Sequence, residues 1–283
     1  MKILLNRLRA LLTSLSLRAS LMVGIIATCG ALHSAFTRDS SPLEELKLSE
    51  LKITQVKPAG AQLMRLRTGL HRLNSYADHA QTAPHIILVH GYKSRGYEWV
   101  RPAHQLAQRG VIYFYRWNWN VCPEVGGRQL LSALRELIAT RTITELEVYG
   151  HSYGGVISSV MAAQYRAEVP LNVHLIAAPL GGHPHLTARC GDELTRLTQP
   201  LRADPSPAPL DHLSSASPRL KLHQWRTQHL LDGAFKNLDQ DPQIVAWRGE
   251  VTRLPTHYRG HRLGHNWSIS WVAEQISLRP GAP

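Results

Sequence analysis

The chain has 283 residues, of which 43% are hydrophobic and 18% charged, and carries a formal net charge of +12. This composition excludes a disordered chain, and the length allows one large domain or two small ones. The basic residues are scattered, so a solvated basic surface is the plainer reading; an anionic membrane surface is the alternative partner such charge can favour, and nucleic acid is not expected.

The N-terminus reads as a targeting segment. Lys2, Arg7, Arg9 and Arg18 precede residue 36 without any acidic residue, and Ala19 to Ala35 carries no charge. A basic start, an apolar run and small residues fit a signal peptide or an N-terminal membrane anchor over 1–35. "IATC" before Gly30 resembles a lipoprotein box ending at Cys29. The chain is therefore expected to be exported: periplasmic, secreted or membrane-anchored. If Cys29 is removed or lipidated, Cys122 and Cys190 remain. Two unpaired, buried thiols are the expectation; a disulfide in an oxidising compartment is the alternative.

Residues 36–50 read as a polar linker or short helix. Lys52 to Arg67 reads as β-type stretches broken by "KPAG". An apolar run, His85 to Val89, predicts a buried strand ending at Gly91, and "GYEWVRPAHQLAQRG" predicts a helix. "VIYFYRWNW" predicts a strand, "EVGGRQLLSALRELIATR" an amphipathic helix, "ITELEVYG" a strand, "GGVISSVMAAQYRA" a helix and "LNVHLIAAP" a strand. Residues 179–218 are rich in Pro, Ser and Gly and read as a loop excursion or small lid. "LKLHQWRTQH" and "QIVAWRG" then read as strands, and "NWSISWVAEQISL" as a closing helix. The alternation predicts an α/β fold: a mostly parallel central sheet flanked by helices, with a short lid-like insertion, in a domain spanning 36–283.

The chemistry centres on Gly150-His151-Ser152-Tyr153-Gly154. It matches G-x-S-x-G between a strand and a helix, the context in which that motif lifts a serine hydroxyl off a sheet. Only small residues fit two positions either side of such a turn, and the following helix N-terminus favours negative charge. Ser152 is the candidate nucleophile; a turn serine capping a helix is the plainer alternative. "ILVHGY" ends a strand at the same edge, so the N–H groups of Tyr92 and Tyr153 are the candidate oxyanion hole. His90 is a competing base, but it precedes the serine in sequence. Trp99, Trp117 and Trp119 fit core packing better than a substrate pocket.

With "ILVHGY", "YGHSYGG", "IAAPLGG" and "LGHNW", roughly residues 60–278 resemble the α/β-hydrolase superfamily, particularly its lipase- and esterase-like serine hydrolases. The resemblance implies a sheet of about eight strands and a Ser–acid–His triad on loops at the strand carboxyl ends. It places the histidine at the start of the closing helix, which is His265. His257 and His261 precede it at four-residue spacing, a possible metal face, but Pro255, Gly260 and Gly264 argue against one helix. No metal or cofactor is expected. The acid is expected after "LKLHQWRTQH"; Asp232, in an Asp-Gly turn, resembles the usual acid loop, with Asp239 and Asp241 as alternatives. The implied function is hydrolysis of small-molecule or lipid esters through an acyl-enzyme. An amidase, thioesterase or acyltransferase would use the same scaffold, and a non-catalytic lipid-binding protein is the alternative of another class.

Overall fold

The computed structural model describes residues 45–75, 79–202 and 219–278. The expected targeting segment, with Cys29, lies outside the described residues, as does 203–218 of the Pro-rich excursion. Among the described residues, no helix is long and apolar enough to cross a membrane.

Eight strands form one sheet: β1 (Glu45–Lys47), β2 (Gly69–Asn74), β3 (His85–Val89), β4 (Val111–Arg116), β5 (Leu146–His151), β6 (Leu171–Ile176), β7 (Leu220–Arg226) and β8 (Glu250–Arg253). Their spatial order is β1-β2-β4-β3-β5-β6-β7-β8. All pairings are parallel except β2 with β4. The helices are α1 (Val56–Arg65), α2 (Tyr97–Leu106), α3 (Pro123–Thr140), α4 (Tyr153–Ala163), α5 (Pro184–Cys190), α6 (Glu193–Thr198) and α7 (Trp267–Leu278). A hairpin, β9 (His257–Tyr258) and β10 (His261–Arg262), precedes α7. Its turn residues Arg259 and Gly260 both have positive φ, as a two-residue hairpin turn requires.

The core lies on both faces of the sheet. Ile87 and Val89 of β3 and Tyr113 and Tyr115 of β4 face Leu130 and Leu134 of α3 and Val156 and Val160 of α4. Their neighbours Ile86, Leu88, Ile112 and Phe114 face Leu63 of α1, Trp99 of α2 and Ile269 and Val272 of α7. Strand geometry sends successive side chains to opposite faces, so a sheet covered twice needs a continuous apolar run. "HIILV" is such a run, and burying each large side chain contributes roughly 1.5–3 kcal/mol.

Several expectations are corrected. Lys52 to Arg67 is not β-type: "KPAG" lies inside α1. Pro58 falls in the first turn, where its missing N–H removes no helical hydrogen bond. Gly60 marks a close approach, since a Cβ there would lie 2.2 Å from the nitrogen of Tyr97. Residues 45–50, expected as part of a polar linker or short helix, form edge strand β1 and then a short 3-10 helix. "QIVAWRG" is not a strand. The carbonyls of Gln243 and Val245 accept hydrogen bonds from the side chains of Gln224 (2.6 Å) and Arg226 (3.2 Å), and the strand begins one residue after the segment, at Glu250. Within the excursion, residues 184–201 fold into α5, α6 and a 3-10 turn. Cys122 and Cys190 are not buried thiols. They form a disulfide, with Cα atoms 5.6 Å apart, joining the residue before α3 to the end of α5.

Candidate active site

β3, β5, β7 and β8 run parallel, so the loops that leave them gather at one edge of the sheet. That edge is where open α/β sheets place their sites. The loop after β5 is a single residue, Ser152, before α4 begins. Ser152 has φ 55° and ψ −123°, a backbone conformation that costs on the order of 1–3 kcal/mol and persists only where its surroundings enforce it. The surroundings are visible. Its N–H donates to the Ile176 carbonyl at 2.9 Å, and its own carbonyl accepts from the N–H groups of Gly155 and Val156. A Cβ at Gly154 would lie 2.3 Å from the Val89 carbonyl oxygen, and one at Gly150 would lie 2.6 Å from Ser158 Oγ. The glycines therefore allow strand and helix to cross closely enough to fix the turn.

The loop after β7 carries Asp232, which is fully buried. Its Oδ2 accepts from His265 Nδ1 (3.0 Å) and Thr227 Oγ1 (2.6 Å), and its Oδ1 from the Ala234 N–H (2.8 Å). Burial pushes the Asp232 carboxyl up, but the hydrogen bond and charge of His265, with the Thr227 and Ala234 donors, outweigh this and hold it below its ordinary value. Asp239 is exposed. Asp241 accepts from the backbone and side chain of Gln243, whose Oε1 in turn accepts from the Thr227 N–H at 2.9 Å. Asp241 thus buttresses the segment that bonds Asp232 rather than meeting His265.

His265 stands two residues before α7, reached from β8 through the β9–β10 hairpin. Its carbonyl accepts from Ser268 Oγ (2.5 Å) and His151 Nε2 (3.0 Å). The edge of its ring meets Phe235, with centroids 5.0 Å apart. His151 is buried and neutral: burial, then the nearby His265, depresses its pKa well below the ordinary imidazole value. Ser152 and His265 line the same open cleft of about 510 Å³, with Tyr92, Lys93, Glu98 and Asn266. Tyr153 is the first residue of α4, where the helix leaves its N–H without an internal partner. Tyr92 follows β3, beside Gly91, whose added Cβ would stand 3.0 Å from Ser152 Cβ.

The competing base His90 is held away from such chemistry. Its Nε2 accepts from the Trp117 N–H (3.2 Å) and its Nδ1–H donates to the Gly91 carbonyl (3.0 Å). Burial drives its pKa to about 3. Trp99 and Trp117 are core residues, and Trp119 packs against that core. His257 bonds Thr256, His261 stacks on Trp267 and His265 bonds Asp232, so the three evenly spaced histidines serve separate contacts. Among the described residues no cluster of three metal-ligating side chains occurs.

No protein-family model matches the chain, and no curated protein does. Among solved structures, an inhibited esterase B from Lactobacillus rhamnosis superimposes with a TM-score of 0.51 at 14% identity, covering 82% of this chain and 93% of that one. Est1E from Butyrivibrio proteoclasticus gives 0.48 at 14% identity, covering 70% of this chain and 87% of that one. The chain has the α/β-hydrolase fold.

Within that fold, Thr227, His151 and Gln243 contribute to the site without a sequence motif that marks them. Thr227 directly follows β7, and a hydroxyl five residues before a candidate acid was the one signal for it. Nothing in the sequence signalled that His151 would reach the carbonyl of His265.

Proposed function

We propose that the chain is a serine hydrolase of carboxylic esters, working through an acyl-enzyme. One observation carries this reading: His265, hydrogen-bonded to the buried Asp232, opens onto the cleft that Ser152 enters from a strained strand-to-helix turn. With Nδ1–H donated to Asp232, His265 keeps Nε2 free to take the Ser152 proton as Oγ attacks the acyl carbon. The N–H groups of Tyr92 and Tyr153 meet the oxyanion; one such donor is commonly worth about 3–4 kcal/mol of barrier. His265 then protonates the departing alkoxide. Water, deprotonated by the same imidazole, attacks the acyl-enzyme and releases the acid. The substrate is a small-molecule or lipid ester of carboxylesterase or lipase type. The Cys122–Cys190 disulfide favours an oxidising compartment, in keeping with export through segment 1–35.

The test is labelling by a fluorophosphonate, followed by hydrolysis of p-nitrophenyl esters from two to sixteen carbons with a peptide amide as control. Ser152→Ala is expected to abolish both labelling and ester turnover while leaving the circular dichroism spectrum unchanged. Near-native turnover in folded Ser152→Ala would overturn the reading; preferential cleavage of the amide would replace the esterase with an amidase.

A further inference from the structure

Two cations, Lys93 and Arg189, flank the ring of Tyr92 in the cleft wall, and a third, Arg95, lines the same cleft; none has a carboxylate partner among the described residues. Lys93 and Arg95 line it together with Ser152 and His265. Arg189 arrives from α5, in a different part of the chain. Its guanidinium lies 5.6 Å from the ring centroid of Tyr92 and 5.7 Å from that of Tyr153, the two candidate oxyanion-hole residues. The Lys93 ammonium lies 5.1 Å from the same Tyr92 ring. Arg189 also donates to the Trp119 carbonyl (3.1 Å) and the Tyr153 hydroxyl (3.4 Å), and the next residue, Cys190, is fixed by the disulfide.

Arg109, Arg128, Arg196 and Arg259 pair with glutamates, while other basic side chains, such as Arg248 and Arg262, bond backbone carbonyls. Lys93, Arg95 and Arg189 enter no ion pair among the described residues. Among the described residues Glu98 is the one carboxylate lining the cleft; it is buried, its Oε1 accepts from the Ser94 hydroxyl and its Oε2 has no hydrogen-bond partner. An exposed cation is ordinarily just solvated. Here two cations flank one aromatic ring beside the nucleophile, and one of them is held there by its own hydrogen bonds. Cation–π contacts fix a cation without neutralising it, so its field stays available to a ligand.

We propose that Lys93 and Arg189 select esters carrying a second, anionic group, a carboxylate or phosphate set apart from the scissile carbonyl. This rests on the ester-hydrolase reading above. Hydrogen bonds between charged partners are strong enough to discriminate about tenfold or more between an anionic ester and its neutral counterpart.

The experiment compares kcat/KM for three acetate esters: 4-acetoxybenzoate, 4-acetoxyphenyl phosphate and the neutral methyl 4-acetoxybenzoate. The native enzyme is expected to favour an anionic ester, less so as sodium chloride is raised. Which anionic ester is preferred distinguishes carboxylate from phosphate. Lys93→Gln and Arg189→Gln should each lower the anionic-to-neutral ratio about tenfold, mainly through KM. The ratio cancels any general damage to the oxyanion hole. A ratio near one in an active native enzyme, or one that both variants leave unchanged, overturns the proposal. If the variants instead lose only cosedimentation with phosphatidylglycerol vesicles, the cations serve a lipid surface and the proposal likewise fails. No turnover of any of the three esters by the native enzyme would be a failure of the hydrolase reading itself.

Discussion

Asp232 and His265 lie 33 residues apart in the chain and 3.0 Å apart in space, joined by a hydrogen bond whose acid end has no solvent exposure. Because the carboxylate is buried, its direction toward the imidazole is fixed by the fold. Asp232→Asn keeps the shape and reverses the tautomer preference. The expected fall in turnover approaches ~10⁴-fold, as in serine-protease triads. It should exceed the losses in Asp239→Asn and Asp241→Asn by at least about tenfold, or roughly 1.4 kcal/mol of barrier. Steady-state kinetics on the three variants, each checked for folding, decides the assignment; a larger loss at Asp239 or Asp241 would move the acid there.

Thr227 supplies one of the donors that hold the Asp232 carboxyl below its ordinary value. A depressed carboxylate stabilises the fold fully above its unfolded value, about pH 4, and loses that contribution as pH falls through the native value. Thr227→Val removes a donor from a charged acceptor, a loss of about 1.5–3 kcal/mol at neutral pH. The midpoint of acid unfolding, followed by tryptophan fluorescence, should therefore move to higher pH. An unmoved midpoint would mean that the other donors suffice.

His90 and His151 are buried and neutral, with native values far below the ordinary imidazole range. The unfolded chain takes up protons there below about pH 6.5 while the native protein does not. Stability is thus complete above that pH and declines as pH falls, by about 1.4 kcal/mol per unit for each group. For His90 the decline continues to about pH 3. Urea unfolding at pH 7.5, 6 and 5 measures the slope. In His90→Gln it should be smaller by about one proton; an unchanged slope would show that His90 does not stay neutral.

The Cys122–Cys190 bridge closes a loop of 68 residues. Chain entropy assigns such a loop about 4 kcal/mol of stabilisation, through restriction of the unfolded chain. Mass analysis without reductant should find no free thiol at either position. The Cys122→Ser, Cys190→Ser double variant should lower the denaturant midpoint accordingly, and a midpoint equal to that of the native protein would remove the bridge from the stability of the fold.

The sheet was legible where the chain announces burial. "HIILV" and "ITELEVYG" are apolar or β-rich runs between turn residues, and both proved central strands. The sequence misled where a punctuating residue had a tertiary purpose. Pro58 and Gly60 read as breakers, yet one occupies a first helical turn and the other admits the start of α2. Edge strand β1 has three residues, too few for any periodic signal. At the site, the turn around Ser152 was legible because its glycines are local requirements. The contacts of Thr227, His151 and Arg189 were not, because each depends on loops that meet only once the sheet has assembled. The bridge escaped for the same reason: the sequence allows a disulfide between Cys122 and Cys190 as the alternative, but does not bring their sulfurs together.

Ser152 gives its own N–H to Ile176, the last residue of β6, while its carbonyl holds the first turn of α4. The candidate nucleophile is therefore a shared joint of sheet and helix and has no hinge of its own. A slip of β5 against β6 or a fraying of α4 would carry the hydroxyl away with it. On the proposed mechanism, heat should then extinguish turnover along the same curve that melts the sheet, leaving no interval in which a folded protein has already displaced Ser152.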